Sequence, residues 1–452
     1  MKPTSKAIAF GVIGCLLAGP AFAEEGSGTQ SNAEGSETQS NEERIKVLES
    51  SVGSLADEMD SLRKVFALPE DGPLLGYSGL GAGASKVYYK DKGLSMGGYG
   101  EVRFRGQVAD DDGKQDVFDA LRMVLYVGYK FNDWLVFNSE IEFEHAGTSG
   151  GGSASTEFMT LDFLLRDEIN LRAGLLLIPM GFINERHEPL FFFGNSRPAV
   201  DRRIIPTTWR ENGAGVYGSF FNERIEYRVY AVNGLDALGF DDNGFRGGRQ
   251  KGSRALADDF ALVARIDTEP LTGFVLGGSV YHGRSGQNQE VNVAPAGDPD
   301  DLQKVPGSMT TIWEIHGEMQ RWNATIRGMY AASTLDGTVR LNELLGNGDA
   351  GATDLIAKKM NGGYISFGYN VMPFFMPESE MTLEPFYRYE RLNTQRDVVD
   401  GDPNRKRDRR YHVVGLQYKP HPQVVLKLDY RNIDSAGGEL PDEIEVGFGF
   451  VF

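Results

Sequence analysis

Apolar and polar residues alternate with a period of two from about residue 94 to the end of the chain. The last segment shows this best, with large apolar residues at every second position: Ile444, Val446, Phe448, Phe450 and Phe452. Successive side chains of a β-strand point to opposite faces of the sheet, so such a segment has one apolar face and one polar or small face. The pattern therefore predicts β-strands with two different environments on their two sides.

The same alternation recurs in sixteen candidate strands, and short turns alternate with longer loops between them. A strand with lipid on one face and water on the other must have this pattern. Aromatic residues such as Trp134 and Trp322 fall near strand ends, as in the aromatic girdles of membrane barrels. The sequence thus predicts an all-β fold, a sixteen-stranded antiparallel transmembrane β-barrel over residues 94–452, with both ends of the barrel segment in the periplasm.

The first residues have the features of an export signal. Residues 1–23 combine a basic start and a short apolar run with Ala21-Phe22-Ala23, which predicts a removable secretory signal peptide. The alternative is lipoprotein processing at Cys15.

The segment between the signal and the barrel divides into three parts. Residues 24–41 are polar and predict a flexible linker. Apolar residues in 42–68 are spaced alternately three and four apart, which predicts a short periplasmic coiled-coil helix. Its apolar seam either meets copies of itself or lies on its own barrel. Residues 69–93 are expected to be a linker to the barrel.

Composition and charge exclude several classes of protein. Cys15 is the only cysteine, so the chain without its signal peptide has no thiolate chemistry. The net charge is −18, or −20 once Lys2 and Lys6 are removed, which argues against nucleic-acid binding. We expect no cofactor and no metal. Glu314-x-His316-x-Glu318 shares one strand face and could bind a metal, but an ordinary trio of lumenal side chains is the favoured interpretation.

The loop over residues 179–212 is predicted to narrow the pore. Its apolar stretches Leu190–Phe193 and Ile204–Ile205 would be unfavourable in water, so we expect the loop to fold inside the barrel. Its arginines are the candidate constriction residues: Arg186, Arg197, Arg202, Arg203 and Arg210. Rings of Arg or Lys favour anions, so this loop predicts an anion preference.

A second set of arginines alternates onto the inward faces of the strands. These candidate pore-wall residues are Arg103, Arg105, Arg122, Arg172, Arg228, Arg265, Arg327, Arg388 and Arg431. The alternative is that they pair with inward glutamates and only stiffen the wall. Hairpin geometry, for example, places Arg122 opposite Glu144.

Three segments resemble a known family. Gly181-Phe-Ile-Asn-Glu-Arg-His-Glu-Pro189, Arg202-Arg-Ile-Ile-Pro-Thr-Thr-Trp-Arg210 and Gly239-Phe-Asp-Asp-Asn-Gly-Phe-Arg-Gly-Gly-Arg249 are similar to Gram-negative porins grouped with the phosphate-selective porin O and P family. The resemblance implies a homotrimer with one pore per subunit. The lysine cluster of the phosphate-selective members is absent from the 179–212 loop, so phosphate specificity is not carried over.

The final strand also resembles the C-terminal signal that the barrel-assembly machinery recognises, with Phe452 at its end. Two basic patches, Arg246–Arg254 and Arg405–Arg410, are expected at the extracellular rim near lipopolysaccharide. Taken together, the sequence predicts an outer-membrane porin for passive diffusion of small hydrophilic solutes, preferring anions such as phosphate or small carboxylates. A structural outer-membrane anchor and a barrel enzyme are the alternatives.

Overall fold

A computed structural model of the chain describes residues 44–55, 76–109, 114–292, 302–347 and 354–452. The chain divides into two units, residues 1–61 and residues 62–452. The predicted signal peptide (1–23) and the linker (24–41) lie outside the described residues. No helix in the described ranges is long and apolar enough to cross a membrane.

Part of the predicted coiled-coil helix falls within the first unit. Residues 44–55 are helical, as the spacing of their apolar residues predicts. The apolar seam is exposed along this helix, at Ile45, Leu48, Val52 and Leu55. The rest of the predicted 42–68 helix lies outside the described residues.

The second unit is an antiparallel barrel. Its long strands are β1 (Gly93–Ala109), β2 (Val117–Asn132), β3 (Leu135–Glu144), β4 (Ser153–Arg166), β5 (Ile169–Leu177), β6 (Arg210–Phe220), β7 (Ile225–Asn233), β8 (Phe260–Leu271), β9 (Phe274–Arg284), β12 (Met309–Arg321), β13 (Ala324–Leu335), β14 (Lys359–Tyr369), β15 (Thr382–Asp397), β16 (Asp408–His421), β17 (Val424–Ser435) and β19 (Asp442–Val451). The short strands β10 (Glu290–Asn292) and β11 (Leu302–Lys304) form a hairpin, and β18 (Gly438–Glu439) adds two residues beside β17.

Short helices lie between the strands and before the first one. The α-helices are Ala82–Ser85, Ala199–Arg203 and Thr338–Leu344, and the 3-10 helices are Lys86–Tyr89, Ala237–Gly239, Arg246–Gly248, Met372–Phe374 and Arg405–Arg407.

The sixteen long strands form a closed sheet, which confirms the predicted fold. Each pairs with its neighbours in sequence, and β1 pairs with β19 to complete the ring. Phe452 extends this seam, because its backbone exchanges hydrogen bonds of 3.0 and 2.9 Å with Gly98. The expected register of Arg122 opposite Glu144 is also confirmed.

The two ends of the barrel differ in their connections. At the turn end, two residues join the strands in each of the pairs β2–β3, β4–β5, β8–β9 and β12–β13. The first residue of β1 and the last residue of β19 lie at this end as well. At the loop end, the connections include the long loops 178–209, 234–259, 285–308 and 336–358. Short turns at one end and long loops at the other are the asymmetry of outer-membrane barrels.

The constriction loop, observed as residues 178–209, lies inside the barrel. Ile178, Ile183, Val200, Ile204 and Ile205 are fully buried and belong to the main apolar cluster. That cluster also includes inward residues of the strands and apolar residues of the loops 234–259 and 336–358. The loop therefore folds inward because its apolar side chains find a dry environment there.

Residues 76–92, which the sequence analysis treated as linker, also fold into the barrel. Leu80, Ala84, Val87 and Tyr88 are buried in a second apolar cluster with strand residues. The segment is anchored by hydrogen bonds, for example from the Tyr88 hydroxyl to Asp162 Oδ2 (2.7 Å). It enters from the turn end, immediately before β1, and occupies lumen that a linker would have left open.

Candidate functional site

Inward basic side chains hold the constriction loop by its backbone. Arg388 Nη1 donates to the Phe193 carbonyl (3.0 Å), and Lys427 Nζ donates to the carbonyls of Phe192 (2.8 Å) and Gly194 (2.9 Å). Arg327 Nη1 donates to the Phe191 carbonyl (2.6 Å). These loop carbonyls lie away from bulk water, so they require such donors. Part of the inward positive charge is therefore used to position the loop.

Inward acidic side chains hold the same loop from another side. Asp429 Oδ1 accepts from the backbone N–H and the side-chain amide of Asn195, both at 2.7 Å. Glu390 Oε1 accepts from the Val200 N–H (2.6 Å) at the first turn of the Ala199–Arg203 helix. The loop is thereby fixed to β15 and β17 as well as to β13.

His187 fixes the first half of the loop to β3 and β4. Its Nε2 lies 3.0 Å from Glu140 Oε1 and 2.9 Å from Glu157 Oε2, and its Nδ1 lies 2.9 Å from the Asn184 carbonyl. Burial alone would lower the pKa of His187, but the two carboxylates outweigh burial and raise this pKa to about 10. His187 is therefore an imidazolium at neutral pH, with a partner for each N–H.

A cavity of about 390 Å³ lies between the constriction loop and the wall at the loop end. We call it the loop-end cavity. Its cationic lining comprises Arg103, Arg105, Lys114, Arg122, Arg197, Arg202, Arg203, Arg246, Arg409 and Arg431. Among the described residues, three acidic residues line it: Glu101, Glu144 and Glu443. The cavity is thus strongly cationic.

Three of the cavity arginines lack a partner. In the part of the chain that the structure describes, the side chains of Arg202, Arg203 and Arg246 make no hydrogen bond or ion pair with protein, and Arg246 Nη1 is buried. Enclosure and repulsion, first from Arg203 and then from Arg105, lower the pKa of Arg202 to about 10. This arginine still carries its charge at neutral pH, so these side chains present uncompensated positive charge.

The wall arginines of the same cavity are paired with acids. Arg122 Nε lies 2.8 Å from Glu101, and Arg105 Nε lies 2.7 Å from Glu445. Arg103 lies 3.6 Å from Glu445 as well, and Arg431 pairs with Glu443. These arginines contribute less net charge to the cavity than their number indicates.

The other predicted wall arginines lie away from this cavity. Arg172, Arg228, Arg327 and Arg388 are buried and line neither the loop-end cavity nor the turn-end cavity described below. Arg172 pairs with Asp162 (2.7 Å), beneath the 76–92 segment. These four contact acidic side chains or loop carbonyls, as in the alternative given above, and their role in the pore wall stays a prediction. Arg265 lines the turn-end cavity instead.

The predicted constriction arginines also separate in space. Arg197, Arg202 and Arg203 line the loop-end cavity. Arg210 is the first residue of β6, is buried, and lies 2.9 Å from Glu157, so it supports the His187 cluster. Arg186 lines a different cavity.

That second cavity, of about 180 Å³, lies at the turn end beside the 76–92 segment. It is called the turn-end cavity here. Its lining, within the described ranges, contains six acidic residues, Glu185, Glu223, Glu226, Asp267, Glu269 and Glu318, and three arginines, Arg186, Arg224 and Arg265. No described residue lines both this cavity and the loop-end cavity, because the constriction loop lies between them. The lumen is therefore cationic towards the loops and acidic towards the turns.

Sequence reasoning missed the inward position of Arg246 and Arg409, which it placed at the rim. Arg246 belongs to the loop 234–259, whose Phe240 and Phe245 are buried inside the barrel. The apolar residues of this loop could have predicted its inward position, as the apolar stretches of the constriction loop did for that loop.

The Glu314, His316 and Glu318 trio does not converge. His316 Nδ1 lies 2.8 Å from Glu314 and its Nε2 lies 2.7 Å from Asp267, whereas Glu318 pairs with Arg327.

Comparison with solved structures supports a porin-like barrel fold. Salmonella typhi OmpF, in a complex with daunomycin, aligns with a TM-score of 0.53 at 13% identity, covering 80% of this chain and 98% of that chain. A loop L8 deletion mutant of OmpT, an outer membrane protein of Vibrio cholerae, aligns with a TM-score of 0.50 at 11% identity, covering 80% and 100%. At these identities the likeness shows the fold alone.

No family model matches the sequence, so the resemblance to phosphate-selective porins stays a prediction. An uncharacterized protein of Aquifex aeolicus (strain VF5) is 36% identical over 364 residues, which cover 78% of this chain and 79% of that protein. At this identity over most of both lengths, the chain belongs to the same family as the Aquifex protein.

Proposed function

We propose that the protein is an outer-membrane pore for small hydrophilic solutes and that it prefers anions. Uncompensated guanidinium groups at a narrow point attract anions and repel cations. The single observation that carries the proposal is the absence of acidic partners, among the described residues, for Arg202, Arg203 and Arg246 in the loop-end cavity. The overall charge of −18 does not oppose this, because selectivity depends on the charges at the constriction.

The orientation in the membrane follows from the difference between the two ends of the barrel, one with short turns and the other with long loops. Outward apolar side chains such as Ile315, Ile365 and Val446 are exposed on the barrel surface, where lipid would cover them. In this proposal the turn end faces the periplasm and the loop end faces outward, towards lipopolysaccharide. The exposed seam of the 44–55 helix supports a homotrimer in which the three copies of this helix pack together, and Phe452 would present the assembly signal.

Planar-bilayer recording tests the proposal. The reversal potential across a KCl gradient should show anion preference for the natural sequence. A unit charge a few ångströms from a permeating ion contributes on the order of 1 kcal/mol in water. Arg202→Gln with Arg203→Gln should therefore lower the anion-to-cation permeability ratio by about tenfold.

The matched control removes two positive charges outside the cavity. Arg321→Gln with Arg391→Gln acts on exposed side chains, one at the turn end and one paired with Asp408 on the outer face. This variant should keep the natural selectivity. Cation preference of the natural protein would contradict the anion filter, and folded protein without conductance would contradict the pore itself.

A further inference from the structure

Two carboxylates and an imidazole converge behind the constriction loop. Glu140 of β3, Glu157 of β4 and His187 of the loop place ligand atoms within 4.8 Å of one another. All three residues are buried, with at most 2% of their surface exposed. Both carboxylates approach the same ring nitrogen, Nε2, at 3.0 and 2.9 Å.

This group contains polar atoms that the protein leaves unsatisfied. Glu140 Oε2 and the hydroxyl of Tyr99 are buried and have no hydrogen-bond partner among the described residues. The Tyr99 ring lies 6.0 Å from the His187 ring, centroid to centroid. Leaving a buried carboxylate oxygen or hydroxyl unpaired costs about 1–3 kcal/mol each, so the cluster lacks a ligand for these atoms.

The formal charges of the cluster, with every carboxyl counted as ionised, do not balance either. Arg122 contacts Glu101 and Glu142 at 2.8 and 3.1 Å, and Arg210 contacts Glu157 at 2.9 Å. Together with Glu140, four carboxylates face two guanidinium groups. A protonated imidazole compensates half of the excess negative charge, whereas a divalent cation would compensate all of it.

We propose that Glu140, Glu157 and His187 bind a first-row divalent transition-metal cation, for which Zn²⁺ is the probe, and that this ion fastens the constriction loop to β3 and β4. A tetrahedral ion with ligands at about 2.0–2.1 Å needs ligand atoms about 3.3 Å apart. The two separations from His187 Nε2, 3.0 and 2.9 Å, need to increase by a few tenths of an ångström, and the ligand oxygens of Glu140 and Glu157 lie within 4.8 Å of each other. One imidazole and two carboxylates suit such an ion better than Mg²⁺, which prefers oxygen ligands only.

The proton balance of the binding step is simple. His187 must give up its Nε2 proton so that this nitrogen can donate its lone pair to the ion, while Nδ1–H keeps its hydrogen bond to the Asn184 carbonyl. That outer hydrogen bond orients the ring as in known metal-binding histidines. Each ion bound therefore releases one proton from His187.

His316 supplies a matched comparison within the same barrel. It too is buried against two carboxylates, but these lie on opposite ring nitrogens, Glu314 at Nδ1 and Asp267 at Nε2. The three groups consequently cannot converge on one ion, although their chemistry is the same.

Equilibrium dialysis of untagged, folded full-length protein against Zn²⁺, with Mg²⁺ as the comparison ion, tests the proposal. The natural protein should bind one Zn²⁺ per chain. His187→Gln should weaken binding by at least about tenfold, and His316→Gln should not. No saturable binding, or equal binding by His187→Gln, would overturn the assignment.

X-ray absorption of the Zn²⁺-loaded natural protein decides the question without a variant, in case His187→Gln fails to fold. One imidazole and about two carboxylate ligands are expected, and an ion without nitrogen ligands overturns the proposal. Zn²⁺ binding is independent of conductance, so this result and the pore experiment succeed or fail separately.

Discussion

Raising the pH above neutrality should release the constriction loop at His187. In the metal-free protein the imidazolium lies between Glu140 and Glu157, and its pKa is raised to about 10 from an ordinary value near 6.5. A group whose pKa is higher in the folded state stabilises that state fully below the ordinary pKa. This stabilisation is lost as the pH rises through the folded-state pKa. The sensitive window is therefore about pH 6.5 to 10.

The size of the effect follows from the shift. Each pKa unit corresponds to about 1.4 kcal/mol, so a shift from 6.5 to about 10 corresponds to about 5 kcal/mol of stabilisation at most. Because His187 anchors the loop to the wall, this free energy opposes loop opening as well as global unfolding. Opening of the loop should become easier by several kcal/mol across the window.

Hydrogen–deuterium exchange of peptides from 178–209 measures this opening. The protein is held in chelator to keep the metal site unloaded, and rates at several pH values are corrected for intrinsic exchange. Protection should decrease from pH 6.5 to 10 in the natural protein, and His187→Gln should have low protection with little pH dependence. Equal pH dependence in both proteins would show that another group controls the loop.

Two further changes test how the lumen is filled. Arg388→Ala removes the donor to the buried Phe193 carbonyl, which should cost about 1–3 kcal/mol and increase exchange in the loop; unchanged exchange would contradict the role of this arginine. Gly128→Leu should displace the 76–92 segment, because an added Cβ at Gly128 would lie 2.7 Å from Val87, and single-channel conductance should rise. Gly328→Leu on the outward face should leave conductance unchanged, and an equal rise there would refute the explanation.

The barrel could be predicted from the sequence because the alternation of apolar and polar residues is a property of each strand alone. Each strand must present one face to lipid and one to the lumen, so the period of two identifies it without knowledge of its neighbours. The inward fold of the constriction loop was predictable for a similar reason, since Leu190–Phe193 cannot remain in water at low cost.

The partners of the inward arginines could not be predicted in the same way. Alternation places Arg388 and Arg103 equally on the lumenal face, yet Arg388 is fully buried against loop carbonyls, whereas Arg103 contacts the loop at Ser196 and also lines a cavity. The difference depends on where the loop passes, which is a contact between residues far apart in sequence. The 76–92 segment was missed because its few apolar residues, such as Leu80 and Val87, form no clear period.

The last prediction concerns how paired and unpaired arginines differ in their effect on ion selectivity. Arg105 and Glu445 form a 2.7 Å ion pair in the wall of the loop-end cavity. Replacing both together, Arg105→Gln with Glu445→Gln, removes two charges of opposite sign, so the net field on a permeating ion should hardly change. Replacing Arg202 and Arg203 removes two charges of the same sign and should lower anion preference about tenfold.

Reversal potentials of the two double variants, recorded in the same KCl gradient, separate the explanations. If the paired variant loses as much selectivity as the unpaired one, then the number of inward arginines sets the preference, and the absence of partners at Arg202 and Arg203 does not. If only the unpaired variant changes, most inward arginines serve the wall and the loop, and a few uncompensated ones act as the filter.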